Sequence, residues 1–147
     1  RLEEAKEERN RWKVIALYEA LNARDVEAVQ RLLAPDIEWW FHGPPGFQHM
    51  MKLLTGVSSH LPFDFIPLSV EPFDHTVLVE GCDNSGSVFW VHAWSVSENG
   101  VITQVREYFN TCLTVTRVAF SSGETTVWNS RLPETAGKSM PGLVLAI

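Results

Sequence analysis

Cysteine is scarce in this sequence: Cys82 and Cys112 are the only two in 147 residues. A chain long enough to bury an ample core does not need a disulfide framework, so the pair reads as reduced intracellular thiols. No Cys-x-x-Cys occurs, nor any Cys/His grouping with metal-ligand spacing, which points away from a structural zinc; no cofactor is expected. Positive charge is also short: 12 Lys and Arg face 18 Asp and Glu, for a net charge of −6. Without a basic patch to neutralise phosphates, nucleic acid is not an expected partner. Long apolar runs are missing, so no membrane span is expected, and the charged first residues read as helix rather than as a signal peptide. Those absences place the chain in the cytoplasm, with the nucleus as a second compartment. No internal repeat or low-complexity segment appears.

What is present is ordinary globular composition, 45% hydrophobic and 20% charged, with an unusual six tryptophans. The length suits a single domain over residues 1–147. The tryptophans serve either as large core fillers or as the lining of an apolar cavity or interface. The most informative stretch runs from Val88 to Thr111, two β-rich segments joined by Asn99-Gly100. Asn-Gly between such segments is a hairpin signal, because a type I′ turn needs positive φ at both central residues. Counting from that turn sets Trp94 opposite Val105, His92 opposite Glu107 and Trp90 opposite Phe109 on one face. On the other, Ala93 meets Arg106, Val91 meets Tyr108 and Phe89 meets Asn110. Both faces carry large apolar groups, so one covers a core or pocket and the other meets a second layer or subunit.

The rest of the chain frames this hairpin. Val14, Leu17, Tyr18 and Leu21 repeat at helical spacing within a helix over 2–23, with Trp12 and Ile15 widening the stripe. Asp25 is the expected N-cap of a short second helix that stops before Pro35. A first strand over 36–42 precedes Gly43-Pro44-Pro45-Gly46, and a third helix over about 47–54 carries Met50, Met51 and Leu53. Strands follow over 63–72, interrupted by Pro67 and so an edge or bulged strand, and over 76–82. The strand after the hairpin runs on toward Phe120, and 126–132 holds one more short strand or turn. The apolar tail, 133–147, is expected to dock on the body or on a partner.

Three helices with a strongly bent antiparallel sheet make an α+β arrangement. The order helix, helix, strand, helix, four strands resembles the cone of nuclear transport factor 2 and ketosteroid isomerase. Three segments sharpen the likeness: Glu38-Trp39-Trp40-Phe41-His42-Gly43-Pro44, Met50-Met51-Lys52-Leu53-Leu54-Thr55-Gly56, and Gly137 through Ala146. They resemble the plant wound-induced protein family, and Arg106-Glu107-Tyr108-Phe109-Asn110-Thr111 fits both that family and the wider superfamily. The resemblance covers nearly the whole chain and implies a wound, stress or senescence context, but no reaction.

In epoxide hydrolases and polyketide cyclases of the superfamily that this chain resembles, an acid often ends the Arg-x-Tyr-x-x strand and faces the pocket. Here Asn110 stands there, and an amide can orient a carbonyl or water but cannot act as a general base. The same parity sets Arg106, Tyr108 and Asn110 on the pocket face beside Phe89 and Val91, either as a functional cluster or as a satisfied structural network. His42, Tyr108 and Asn110 are the catalytic candidates, with His42 at the cone's mouth as a base near neutral pH or as a structural histidine. Trp40, His42, Met50, Leu54 and Phe65 complete the candidate pocket wall, although Met50 and Leu54 at helical spacing are equally plain core. Trp90, His92, Trp94, Glu107 and Phe109 fall on the opposite face and read as a homodimer interface, with His92 and Glu107 hydrogen-bonded inside it. The reading that results is a homodimer, non-catalytic, that holds a small apolar metabolite or serves as an accessory to another protein. The alternative is an isomerase, cyclase or dehydratase acting on a hydrophobic substrate within the cone.

Overall fold

The computed structural model describes residues 2–43, 50, 64–109, 113–119, 123–131 and 143–146. Helix α1 (Leu2–Asn22) and helix α2 (Val26–Leu32) open the chain. On α1, Val14, Leu17, Tyr18 and Leu21 form the buried stripe that their spacing predicts, whereas Trp12 is 58% exposed, under the Arg11 guanidinium. The end of α1 is a Schellman turn, with Arg24 N donating to Leu21 O and Asp25 N to Ala20 O. Arg24 sits at φ 59° in the left-handed position that glycine usually takes. Asp25 then caps α2 by accepting from Ala28 N at 3.2 Å, as its type and place in the sequence predict.

Eight strands follow among the described residues: β1 (Leu33–His42), β2 (Ile66–Phe73), β3 (Thr76–Cys82), β4 (Phe89–Val96), β5 (Ile102–Phe109), β6 (Leu113–Ala119), β7 (Gly123–Asn129) and β8 (Leu143–Ala146). They form a five-stranded sheet in the order β1-β5-β4-β3-β2 and a three-stranded sheet in the order β7-β6-β8. The expected antiparallel pairing is broken by two parallel pairs, β1 with β5 and β8 with β6. Pro35 is tolerated in β1 because it falls where the pairing lapses, between Leu33 and Glu38. At the opposite edge, β2 carries Pro67 and Pro72 and bulges between Pro67 and Ser69, which turns Leu68 outward. The apolar tail docks on the chain's own body: Leu143 to Ala146 pair parallel with Leu113 to Thr116. The third helix, expected over about 47–54, lies outside the described residues except for Met50, which is buried in the core.

Both faces of the larger sheet are covered. The inner face packs Val77, Val79, Trp90, Trp94, Val105 and Phe109 against α1 and α2. The outer face packs Leu78, Val91, Ala93 and Tyr108 against Leu113, Val115 and Trp128 of the smaller sheet. Glu80, buried on that outer face, binds the two sheets together by accepting from Ser130 Oγ at 2.7 Å and Arg131 N at 3.0 Å. Asn22 ties α1 to the start of β2, with its side-chain amide donating to Phe65 O at 2.8 Å and accepting from Phe65 N at 3.0 Å.

Candidate functional site

The β4–β5 pairing has the counted register: Trp94 with Val105, His92 with Glu107, Trp90 with Phe109 and Val91 with Tyr108. The turn is of another kind. Gly100 alone has positive φ, Gly100 N donates to Ser97 O, and Ser97 N donates to Val101 O. This is a three-residue loop with glycine in the left-handed position.

The register places His92 and Glu107 on the inner face, under α1, at 0% exposure. Trp90, Trp94 and Phe109 are equally buried. These five residues, expected at a dimer interface, therefore lie in the chain's own core, out of a second copy's reach. His92 Nε2 is 2.8 Å from Glu107 Oε2, and Trp39 Nε1 donates to Glu107 Oε1 at 3.0 Å. On its other side His92 Nδ1 is 2.5 Å from Tyr18 Oη, which accepts from Trp94 Nε1 at 2.8 Å. An indole N–H can only donate, so Trp94 and Trp39 enter the two ends of this chain of bonds as donors, and one assignment satisfies the rest. Tyr18 O–H points to Nδ1, Nε2–H points to Glu107, and every donor then meets an acceptor. Burial drives the Tyr18 phenol well above its ordinary pKa; the Trp94 bond opposes this and the Glu107 charge adds to it. The imidazole stacks on Trp90 at 4.4 Å, and its centroid lies 5.8 Å from that of Tyr18. Tyr18 and Trp39 were not among the candidates from sequence, although a buried phenol and a buried indole each call for a polar partner.

The expected pocket residues divide between the two faces. Met50 and Phe65 are buried inside, Phe65 at 5.3 Å from the His92 ring. Trp40, His42, Val91, Arg106 and Tyr108 belong to the outer face, and Phe89 follows them in strand parity. The two groups are separated by the sheet and line no common pocket. Trp40 is 53% exposed, so it does not wall an interior cavity. Leu54 and Asn110 lie outside the described residues. On the outer face, Trp40 neighbours Arg106 and His42 neighbours Tyr108, with the last two rings stacked at 4.9 Å and 13°. Burial raises the Tyr108 phenol pKa and the Arg106 charge acts to lower it.

A cavity of about 610 Å³ opens between Glu71–Phe73 of β2 and Trp128–Arg131 at the end of β7, and none of the candidate residues lines it. Cys82 is a free thiol at the end of β3, and Cys112 lies outside the described residues. Among the described residues, no cluster of three His, Cys, Asp or Glu could hold a metal ion. No described helix is long and apolar enough to cross a membrane.

The profile of the family described as "Wound-induced protein WI12" matches residues 51–147. The chain belongs to the WI12 wound-induced protein family. It is 53% identical over 106 residues to "Wound-induced protein 1" of Solanum tuberosum, an alignment spanning 66% of this chain and all of that protein. It is 51% identical over 111 residues to "Senescence associated gene 20" of Arabidopsis thaliana, again over 66% of this chain and all of the relative. Among solved structures, an NTF2-like protein from Burkholderia pseudomallei superposes with a TM-score of 0.52 at 23% identity, over 69% of this chain and 90% of that one. An LEH-like epoxide hydrolase of M. tuberculosis superposes with a TM-score of 0.54 at 22% identity, over 71% of this chain and 84% of that one. The fold is thus nuclear transport factor 2-like, as the order of elements implies. The WI12 match takes in β2 to β8, so His92, Trp94 and Glu107 fall inside it, while Tyr18 and Trp39 precede it.

Proposed function

We propose that this WI12-family chain is a wound- and senescence-associated protein that does no chemistry of its own and works by binding, as a holder of a small metabolite or as an accessory to another protein. The observation that carries this reading is the closed state of the inner face. His92 and Glu107, a base paired with an orienting acid, are fully buried, and Tyr18, Trp94 and Trp39 already occupy their hydrogen-bonding positions. A general base needs its acceptor nitrogen within reach of substrate, and His92 Nδ1 is taken by Tyr18. The test is native mass spectrometry of the protein after incubation with a plant metabolite extract, with product analysis of the same mixture. Retention of an unchanged molecule, or of none, agrees with this reading. Products formed by wild type and not by His92→Gln would overturn it.

The second reading, an enzyme for a hydrophobic substrate, draws on the same Tyr18–His92–Glu107 chain. A tyrosine hydroxyl backed by imidazole and carboxylate is a competent proton donor and acceptor once exposed. In that case Tyr18→Phe removes turnover while leaving substrate binding largely intact.

A further inference from the structure

We propose that the outer corner formed by β1 and β5 binds a planar organic carboxylate, with the acid group on Arg106, Tyr108 and His42 and the flat body on Trp40. This rests on the reading of the chain as a binding protein and names the class of its ligand. Trp40 and His42 are two apart on β1, Arg106 and Tyr108 two apart on β5, and each pair is in register with the other across the parallel ladder. All four side chains therefore share one face, on adjacent strands about 4.8 Å apart.

Three side chains at this corner have polar atoms without a partner among the described residues. Tyr108 is only 4% exposed, yet among the described residues its hydroxyl has no hydrogen-bond partner. A buried phenol O–H in that state calls for an acceptor. Arg106 gives Nε to Gln104 Oε1 at 3.2 Å, and Gln104 is held in turn by Ser95 Oγ at 3.5 Å. Both Nη groups of Arg106 have no acceptor among the described residues, in a chain of net charge −6. The His42 ring is fixed by its stack on Tyr108, and its nitrogens are likewise without a described partner. Nη of Arg106, the Tyr108 O–H and a His42 N–H thus form a row of donors that suits a carboxylate. Beside them the exposed indole of Trp40 presents a flat apolar face, which a bare inorganic anion would leave unused. Glu38, also exposed and next along β1 on the same face, disfavours a second negative charge on the ligand.

The test titrates the wild-type protein with 2-naphthoate, followed by tryptophan fluorescence and calorimetry, with 2-naphthalenemethanol and inorganic phosphate as controls. Sedimentation records the oligomeric state throughout. Saturable one-to-one binding is expected, weakened about tenfold or more by Arg106→Gln and by Trp40→Ala and correspondingly weaker for both controls. Trp40 is exposed and Arg106 half-buried, so unchanged circular dichroism is expected of both variants; Tyr108→Phe keeps the His42 stack and removes only the donor. The proposal is overturned by absence of saturable naphthoate binding, by equal affinity in both variants, or by phosphate binding as tightly as naphthoate. It is also overturned if wild type is a dimer that binds no naphthoate and the same substitutions dissociate it, because the corner is then an interface between copies. None of these outcomes touches the non-catalytic reading, which fails only on His92-dependent product formation.

Discussion

Tyr18 on α1 and His92 on β4 are joined through a hydroxyl that works in both directions, accepting from Trp94 and giving its own proton to the imidazole. That single oxygen links the helix to the centre of the sheet. Tyr18→Phe strands the Trp94 N–H and His92 Nδ1 in a dry core. The expected loss is about 2 kcal/mol of folding free energy, read as a lowered urea midpoint with an unchanged slope. Glu107→Gln turns a carboxylate that accepts two N–H bonds into a group with one donor end, with a loss of about 2–3 kcal/mol. The double variant is expected to lose less than the sum, because both changes break one network.

The raised pKa of Tyr18 sets the alkaline limit of stability. Its folded-state value lies above the unfolded one, so its contribution is intact below the ordinary phenol value of about 10 and is lost as pH climbs toward the folded value. Wild type is expected to lose thermal stability from about pH 10 upward more steeply than Tyr18→Phe. Melting curves between neutral pH and pH 11 check the slope. Parallel curves would show that some other group titrates in that range.

Gly81 on β3 has no room for a methyl group. A Cβ there would lie 2.1 Å from Ile66 O and 2.6 Å from a Trp90 ring carbon. The carbonyl is backbone within a paired strand and cannot swing aside, so Gly81→Ala is expected to cost on the order of 3 kcal/mol. Thermal unfolding of the variant measures it, and a melting temperature within a degree or two of wild type would contradict the close approach.

Glu80 is a staple between the two sheets. Glu80→Ala leaves the Ser130 hydroxyl and the Arg131 N–H without their acceptor, a loss of about 1–3 kcal/mol. The effect is expected to be local. Hydrogen exchange should quicken around residues 128–131 while the β3 and β4 amides keep their protection.

The hairpin shows how much the sequence disclosed. Its long-range register is the counted one, yet the turn beneath it differs. A loop of three residues displaces the pairing at Val96 and Ile102, and the extra residue Thr103 restores it before Gln104 meets Ser95. Two offsets cancel, which counting from Asn99-Gly100 could not anticipate. Parity also correctly separated two sets of side chains and showed both faces to be covered. It could not say which set lay under the helices, since alternation is symmetric about the sheet. The signal was in the polar members. Arg106, Gln104 and Glu80 share one face, and a guanidinium is rarely packed beneath a helix. Assigning that face outward places His92 and Glu107 under α1, against the buried stripe that contains Tyr18. The smaller sheet was only partly legible, because β8 pairs with β6 across a long separation that no local pattern records.

The architecture of β2 bears on how this chain survives at high concentration. A sheet with apolar side chains on both faces is prone to stack strand against strand into fibrils when an edge is open. At this edge Pro67 and Pro72 offer no backbone N–H, and the bulge at Leu68 breaks the even spacing that a recruited strand would need. The irregularities that weaken β2 as a strand thus act as gatekeepers against amyloid growth, in a molecule whose tryptophan-rich interior would otherwise favour it.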